Sequence, residues 1–448
     1  MTGLPFIDRG DPSAKCLLDD SANDWISYGN LRQLATDWRE RLDCEKALVF
    51  LYAANDIASV GALIGAMAAG HAVALLDPNL PAAAKADLND RYLPDFVIDC
   101  GSAEPITVNE RNVVRPHPDL CVLLSTSGST GSPKFVRLTL GNIQSNAGAI
   151  AEVLETDSNS IAAAHLPLHY SFGMSVLISH LFAGASVRLT NSGFMDRSFW
   201  GEMKSAGITQ LQGVPFHFQM MEKLGYRRID LPALRMLVQA GGNLDIDSRW
   251  KAHQFMEERG GSFCVMYGQT EASPRMTTLP HSEFPLAPAS VGPPLPGGSL
   301  EIEHPDEHGR GEVLYRGPNV MMGYAERRED LAQGDELHGL LRTHDLGFLD
   351  DAGRLTLTGR ASRSGKVYGL RVNLDEVEKL ASSVCPSAVI QCGEGLCVFH
   401  EGAGAAELLE ALNVRFTLPP AAYRFIPIDR LPRTERGKID YRALQELA

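Results

Sequence analysis

The chain has 448 residues, 44% hydrophobic and 21% charged, enough for two or three domains and ordinary for a water-soluble globular protein. Against 41 basic residues stand 55 acidic ones, and the resulting net charge of -14 argues against a nucleic-acid partner, which would need a basic face. Residues 361–448 carry 11 basic and 11 acidic side chains, so the acidic excess lies in residues 1–360 and two separately composed units are expected.

The first residues, Met1-Thr2-Gly3-Leu4-Pro5, lack a basic segment followed by an apolar one, so secretion is not indicated and a cytoplasmic location is expected. Eight scattered cysteines contain no C-x-x-C pair, which reads as buried thiols in a reducing compartment rather than as a zinc site. From residue 25 to residue 99 helical and strand patterns alternate, with apolar strands at 47–52 and 96–98. This alternation predicts an α/β layer with a mainly parallel sheet and ligand crevices at its strand ends. Residues 58–76 have the length of a membrane span, but Gly70-His71 breaks the run. A buried helix ending at Gly70, then a strand at 72–76 and a turn at Asp77-Pro78-Asn79, is expected there, with no membrane span.

A short buried strand at 121–124 leads into Ser125-Thr126-Ser127-Gly128-Ser129-Thr130-Gly131-Ser132-Pro133-Lys134. Gly128 and Gly131 allow close backbone approach to an anion, the hydroxyls of Ser125, Thr126, Ser127 and Thr130 can donate to phosphate oxygens, and Lys134 adds positive charge. The spacing differs from Walker A, because Gly131 is followed by Ser-Pro-Lys rather than Lys-Ser/Thr, so a P-loop NTPase is disfavoured. The run resembles the signature of the adenylate-forming superfamily, which includes acyl-CoA synthetases, peptide-synthetase adenylation domains and beetle luciferases. On that resemblance Ser125 to Gly131, Ser129 included, and Lys134 bind the nucleotide.

Further stretches repeat the resemblance in order. After a helix candidate at 142–154, His165-Leu166-Pro167-Leu168-His169-Tyr170-Ser171-Phe172-Gly173 stands where the family lines its acyl pocket. His169, Tyr170 and Phe172 are the pocket candidates, with core packing as the alternative. Gly173 occupies the place where amino-acid-activating members carry an Asp, and a buried ammonium without that carboxylate would be costly. Gly213-Val214-Pro215-Phe216 resembles a Val-Pro-Thr element; Val214 and Phe216 either narrow the pocket or pack a helix start. A buried strand at 234–240 ends in Gly241-Gly242-Asn243, similar to the family's adenine shelf. Tyr267-Gly268-Gln269-Thr270-Glu271-Ala272 resembles the motif in which tyrosine stacks on adenine, threonine reaches a phosphate and glutamate offers an oxygen to Mg²⁺. Thr270 and Glu271 are therefore catalytic candidates, Glu271 the metal ligand, and Tyr267 and Gly268 nucleotide-binding.

The runs 290–297 and 311–324 suggest a small, structural β-subdomain. Asp345, in Thr343-His344-Asp345-Leu346, would accept both ribose hydroxyls, and His344 replaces the usual glycine there. Arg360 resembles the family arginine that contacts ribose and phosphate. Ser362 aligns with the family hinge, the Gly369 region would face an incoming thiol, and Lys438, in Leu431-Pro-Arg-Thr-Glu-Arg-Gly-Lys, matches the catalytic lysine of the last motif.

The resemblance implies an N-terminal adenylate-forming domain of layered α/β sheets with a β-subdomain over residues 1–360, and a small mobile C-terminal α+β domain over residues 361–448. It implies ATP and Mg²⁺, a small carboxylic acid activated as its adenylate, and CoA or the phosphopantetheine of an acyl carrier protein as the thiol. The apolar, aromatic wall predicts an uncharged-tail acid. An amino-acid-adenylating enzyme feeding a carrier protein, opposed by Gly173, and a catalytically silent nucleotide-binding regulator are the alternatives. Retention of Lys134, Glu271, Asp345 and Lys438 argues against silence.

Overall fold

The computed structural model describes residues 3–22, 24–109, 112–125, 134–360, 363–367, 370–393, 395–402, 404–413, 416, 418–434 and 437–448. It is a layered α/β protein. The described chain divides into two compact units, residues 1–299 with 315–341, and residues 300–314 with 342–448. The boundary expected at 360/361 falls within the second of them.

Two sheets build the first unit. In the seven-stranded sheet, Leu120–Ser125, Ala72–Leu76, Leu48–Tyr52 and Phe96–Asp99 run parallel, flanked by antiparallel edges. Leu48–Tyr52 and Ala72–Leu76 are buried along their whole length, which is why they read as continuous apolar runs rather than as alternating ones. In the eight-stranded sheet, the parallel order is Ser262–Tyr267, Met236–Gln239, Gln210–Gly213, Ile161–Ala164, Ser186–Leu189 and Lys15–Leu18. The largest core cluster draws on both sheets: Val49 and Val73 of one and Leu17 and Val187 of the other share it with helical Leu63, Ile64, Leu177 and Leu181.

The apolar stretch at 58–76 resolves as a helix and a strand. Asp56 caps the helix Ile57–Ala68 by accepting the Ser59 N–H at 2.7 Å, and Gly70 turns the chain with φ +80° into Ala72–Leu76. Gly65 in this helix lies so close to helix Tyr28–Arg41 that a Cβ would stand 2.3 Å from that of Trp38. No helix among the described residues is long and apolar enough to cross a membrane.

Two expectations are corrected. Gly323–Ala325, grouped with a β-subdomain by its Pro/Gly-rich surroundings, instead edges the seven-stranded sheet, antiparallel to Phe135–Thr139. The four-stranded sheet that does form comprises Ser299–Glu303, Gly311–Arg316, Leu340–Leu349 and Leu355–Arg360. The cysteines are not all thiols: Cys392 and Cys397, brought together by the hairpin of Ser387–Cys392 with Gly395–His400, form a disulfide. Cys16, Cys121 and Cys264 are buried and outside any disulfide, as are the partly exposed Cys44, Cys100 and Cys385.

The C-terminal part of the second unit packs the helices Leu374–Ser382 and Ala405–Asn413 with a three-stranded sheet of Ser387–Cys392, Gly395–His400 and Tyr423–Pro427. Arg363 ties it together. Its guanidinium lies 2.7 Å from the Asp375 carboxylate and 3.0 Å from that of Glu378, donates to the Val389 carbonyl at 2.6 Å and covers the Tyr441 ring at 3.9 Å. Arg363→Met leaves two partly buried carboxylates without their shared cation, so it should destabilise the second unit by about 3 kcal/mol. Urea unfolding followed by a probe in that unit checks this; an unchanged midpoint would refute it.

Candidate active site

In the first unit the expected site residues collect at the carboxyl ends of parallel strands, where backbone groups leave the ladder and side chains can face a ligand. The strand Leu120–Ser125 ends on Ser125, which pairs with Phe135 on the return strand, so Ser125 and Lys134 are brought together at the mouth of one hairpin. Thr126, Ser127, Gly128, Ser129, Thr130 and Gly131, the centre of the expected phosphate cradle, lie outside the described residues, as do Ser362 and Gly369.

Lys134 Nζ sits 3.7 Å above the centroid of the Tyr324 ring. Tyr324, held in the ladder opposite Val136, donates its hydroxyl to Glu271 Oε1 at 2.8 Å. Burial, and after it the Glu271 charge, push the Tyr324 hydroxyl well above the ordinary tyrosine range, so it remains a donor. A cation, a phenol and a carboxylate thus form one chain across three separate segments. Glu271 stands in the 3₁₀ turn Thr270–Ala272 that follows the strand Ser262–Tyr267, and Thr270 Oγ1 lies 3.0 Å from the hydroxyl of Ser171, the first residue of the helix Ser171–Phe182.

The shelf is bare backbone. At Gly241, φ +76°, a Cβ would meet the Tyr170 hydroxyl at 2.8 Å and Val214 Cγ1 at 3.0 Å, and at Gly268 one would stand 1.8 Å from the Pro274 carbonyl oxygen. Only glycine fits at these two positions. Gly242 accepts a hydrogen bond from Gln239 Nε2 at 2.8 Å, and the Asn243 side chain accepts one from the buried Arg249 at 3.3 Å. Near the tyrosine of the motif, Gln269 Nε2 donates to the Tyr267 hydroxyl at 3.4 Å.

Tyr170, Phe172 and Val214 are buried in one cluster with Ala240 and Met266, and Phe216 packs at its margin. His169 Nε2 lies 3.7 Å from the Asp77 carboxylate. Gly173 is held to glycine by the backbone beside it. A Cβ there would stand 2.2 Å from the Pro167 carbonyl oxygen and 2.6 Å from that of Leu166, so the position faces backbone and its glycine is required by the helix start. An aspartate would not fit this backbone.

In the second unit, Asp345 is 4% exposed and lies opposite Arg360 in the ladder, with Arg360 Nε 2.9 Å from Asp345 Oδ1. The Asp345 N–H donates to Thr343 Oγ1 at 3.1 Å, and Thr343 donates in turn to the Val313 carbonyl at 2.7 Å. His344 takes the left-handed conformation, φ +56°, that the usual glycine would adopt, and its Nδ1 is 3.1 Å from the Glu312 carboxylate. Lys438 is exposed, on a turn where its carbonyl accepts the Thr434 N–H at 2.8 Å.

Three residues escaped the sequence reading. Tyr324 closes a run that reads as structural, Ser171 stands unmarked between two pocket candidates, and Arg275 follows the Tyr-Gly-Gln-Thr-Glu-Ala motif by three positions. No side-chain cluster among the described residues would cage a metal ion. Mg²⁺ needs no such cage when phosphates supply its other ligands, so the Glu271 carboxylate, held at Oε1 by the Tyr324 hydroxyl, suits it.

A family model for AMP-binding enzymes matches residues 85–325, just over half of the chain, a span that includes Ser125, Lys134, Gly241, Gly268, Glu271 and Tyr324. The oxalate–CoA ligase of Arabidopsis thaliana is 32% identical over 299 residues, covering 63% of this chain and 56% of that one. A feruloyl-CoA synthase from an Amycolatopsis species is 30% identical over 348 residues, covering 72% of this chain and 68% of the relative. The solved structure of o-succinylbenzoate CoA synthetase from Bacillus subtilis, in complex with an acyl-adenylate intermediate, shares the fold: TM-score 0.80 over 99% of this chain and 98% of that one, at 21% identity. The chain belongs to the AMP-binding enzyme family. It spans less than two thirds of the Arabidopsis relative's length.

Tyr324→Phe removes the donor that orients Glu271 while keeping the ring beneath Lys134. A hydrogen bond to a charged group contributes about 1.5 to 3 kcal/mol, so Tm should fall, and affinity for MgATP, whose metal ligand is no longer held in place, should fall roughly tenfold or more. Calorimetric titration checks this, and an unaltered Kd would take Tyr324 out of the site.

Proposed function

We propose that this AMP-binding enzyme is an AMP-forming acid–thiol ligase that activates a small carboxylic acid with ATP and passes the acyl group to CoA. In the first half-reaction a carboxylate oxygen attacks the α-phosphorus, and the bond to the bridging oxygen of the β-phosphate breaks to release pyrophosphate. In the second, a thiolate sulfur attacks the acyl carbon and AMP leaves with the carboxyl oxygen. Neither step requires a covalent protein intermediate. The observation that carries this reading is the chain from Lys134 through Tyr324 to Glu271 at the end of the phosphate-loop strand.

Each residue has a role in this reading. Lys134, with the loop from Ser125 to Gly131, opposes the polyphosphate charge; Thr270 donates to a phosphate; Gly241, Gly242, Asn243, Tyr267 and Gly268 hold the adenine; Asp345 and Arg360 hold the ribose. Mg²⁺, held through Glu271, would neutralise phosphate charge. Lys438 supplies a cation where carboxylate meets α-phosphate. Tyr170, Phe172, Val214 and Phe216 wall the acid, with His169 at their edge. Residues 361–448 act as the mobile domain, with Ser362 as hinge and Gly369 on the thiol path. The setting is the cytoplasm, where ATP and CoA are both supplied. A carrier-protein phosphopantetheine is the alternative thiol. Free α-amino acids are poor substrates in this reading, because Tyr170, Phe172, Val214 and Phe216 carry no carboxylate to pair with an ammonium.

Lys438→Ala should lower acid-dependent pyrophosphate exchange by a hundredfold or more, about 3 kcal/mol, while largely sparing thioester formation from supplied acyl-adenylate. Equal loss in both half-reactions would sink this assignment. For Asp345→Ala, whose carboxylate offers two acceptor oxygens, the KM for ATP should rise about tenfold to a hundredfold. Unchanged steady-state constants would remove Asp345 from the nucleotide site.

A further inference from the structure

Among the described buried arginines of the first unit, Arg275 is the exception. Arg328 meets Asp95 at 2.9 Å and donates to the carbonyls of Val114 and Leu93; Arg137 pairs with Glu336 at 3.1 Å; Arg249 donates to the carbonyls of Leu244, Pro288 and Ser290. Arg275 is 2% exposed and has no carboxylate partner among the described residues. Its backbone is fixed by Asn146, which donates to its carbonyl at 2.7 Å, and by Asn319, which donates to it at 3.1 Å. The guanidinium lies 4.3 Å over the Phe172 ring, with Nη1 2.8 Å from the Met266 sulfur. Buried Nε and Nη2 have no hydrogen-bond partner among the described residues.

Those two orphan nitrogens share one edge of the guanidinium, the edge whose parallel N–H groups match the two oxygens of a carboxylate. Burial lowers the Arg275 pKa to about 9, which leaves it charged at neutral pH. A buried, uncompensated cation is a liability that a hydrophobic residue of similar volume would avoid. Its position gives it a use. The Phe172 ring it covers also approaches the shelf, Phe172 Cδ1 standing 3.4 Å from where a Gly241 Cβ would be, so the guanidinium and the shelf are neighbours of the same phenyl ring.

We propose that Arg275 is the anion-binding end of the acyl pocket and that the acid carries a second carboxylate: a short dicarboxylic acid, one carboxylate reacting at the shelf and the other paired with the Nε/Nη2 edge. This rests on the acid-activating reading above and replaces the uncharged tail expected from the aromatic wall. A neutral tail would leave the charge uncompensated, whereas a carboxylate satisfies both orphan donors at once. The same cation repels the ammonium of an α-amino acid.

The test is pyrophosphate exchange with matched acids, succinate against butyrate and glutarate against valerate, on wild type, Arg275→Met and Arg275→Lys, together with the Tm shift each acid produces. Wild type should favour at least one diacid over its monoacid partner by tenfold or more. Arg275→Met should reverse that preference while keeping its ATP-dependent Tm shift. Arg275→Lys, which keeps the charge but not the planar edge, should raise the diacid KM at least tenfold, and it decides the matter if the Met variant does not fold. Monoacids exchanging as fast as diacids in wild type, or a diacid preference that survives both substitutions, would overturn the proposal. Absence of exchange with every acid, benzoate-like and fatty acids included, would count against the ligase reading. The Tm arm then still decides this one: an Arg275-dependent shift with a diacid supports it, and no shift with either diacid refutes it.

Discussion

Burial of both faces of two parallel sheets is the constraint from which the rest of the first unit follows. A strand such as Leu120–Ser125 or Met236–Gln239 has almost no exposed side chain, so it can present chemistry only where the chain leaves the ladder. Ser125, Val214, Gly241 and Gly268 all stand within two residues of such an exit. Several exits crowd one another, and crowding explains the glycines. The Tyr170 hydroxyl and Val214 occupy the space a Gly241 side chain would need, and the Pro274 carbonyl occupies that of Gly268. What reads in the sequence as a set of separate short motifs is in three dimensions one packed surface of backbone.

Charge is handled in two ways inside this frame. Arg328 and Asp95, both 1% exposed at the side chain, neutralise each other and do structural work. Lys134 is instead supported from below by the face of Tyr324, a neutral partner whose quadrupole steadies the ammonium without cancelling its charge. The Tyr324 hydroxyl, on the same ring, steadies Glu271. One aromatic side chain therefore orients groups of opposite sign, and it does so from a strand that edges the seven-stranded sheet, so the geometry is inherited from the sheet rather than from a loop.

Much of this was legible in advance where burial is uniform. The runs at 47–52, 72–76 and 96–98 became strands with bounds shifted by a residue at most, because a strand covered on both faces must be apolar throughout. Legibility failed where a residue's meaning depends on a distant partner. Tyr324 lay in a recognised run, but its pairing with Val136 and its contact with Lys134 span nearly two hundred residues of chain. Arg275 carried no signal, since neither hydrophobic periodicity nor local turn chemistry distinguishes a buried arginine from a surface one. Gly173 was noticed for what it lacks, whereas its cause is the pair of carbonyls from Leu166 and Pro167 beside it. The disulfide of Cys392 with Cys397 depends on a hairpin pairing that the spacing of the two cysteines does not reveal.

The chain passes from one compact unit to the other three times, after Ser299, after Leu314 and after Leu341. Recombination between relatives is constrained by that path. A crossover at 360/361 would graft a foreign helix Leu374–Ser382 onto a resident four-stranded sheet, and the Asp375 carboxylate that accepts the Arg360 N–H at 2.7 Å would then come from the donor. A crossover after Leu341 would divide that sheet itself, strands Ser299–Glu303 and Gly311–Arg316 from one parent and Leu355–Arg360 from the other. No single junction transplants the second unit whole, so exchanges that respect its architecture need two matched segments, 300–314 and 342–448, inherited together.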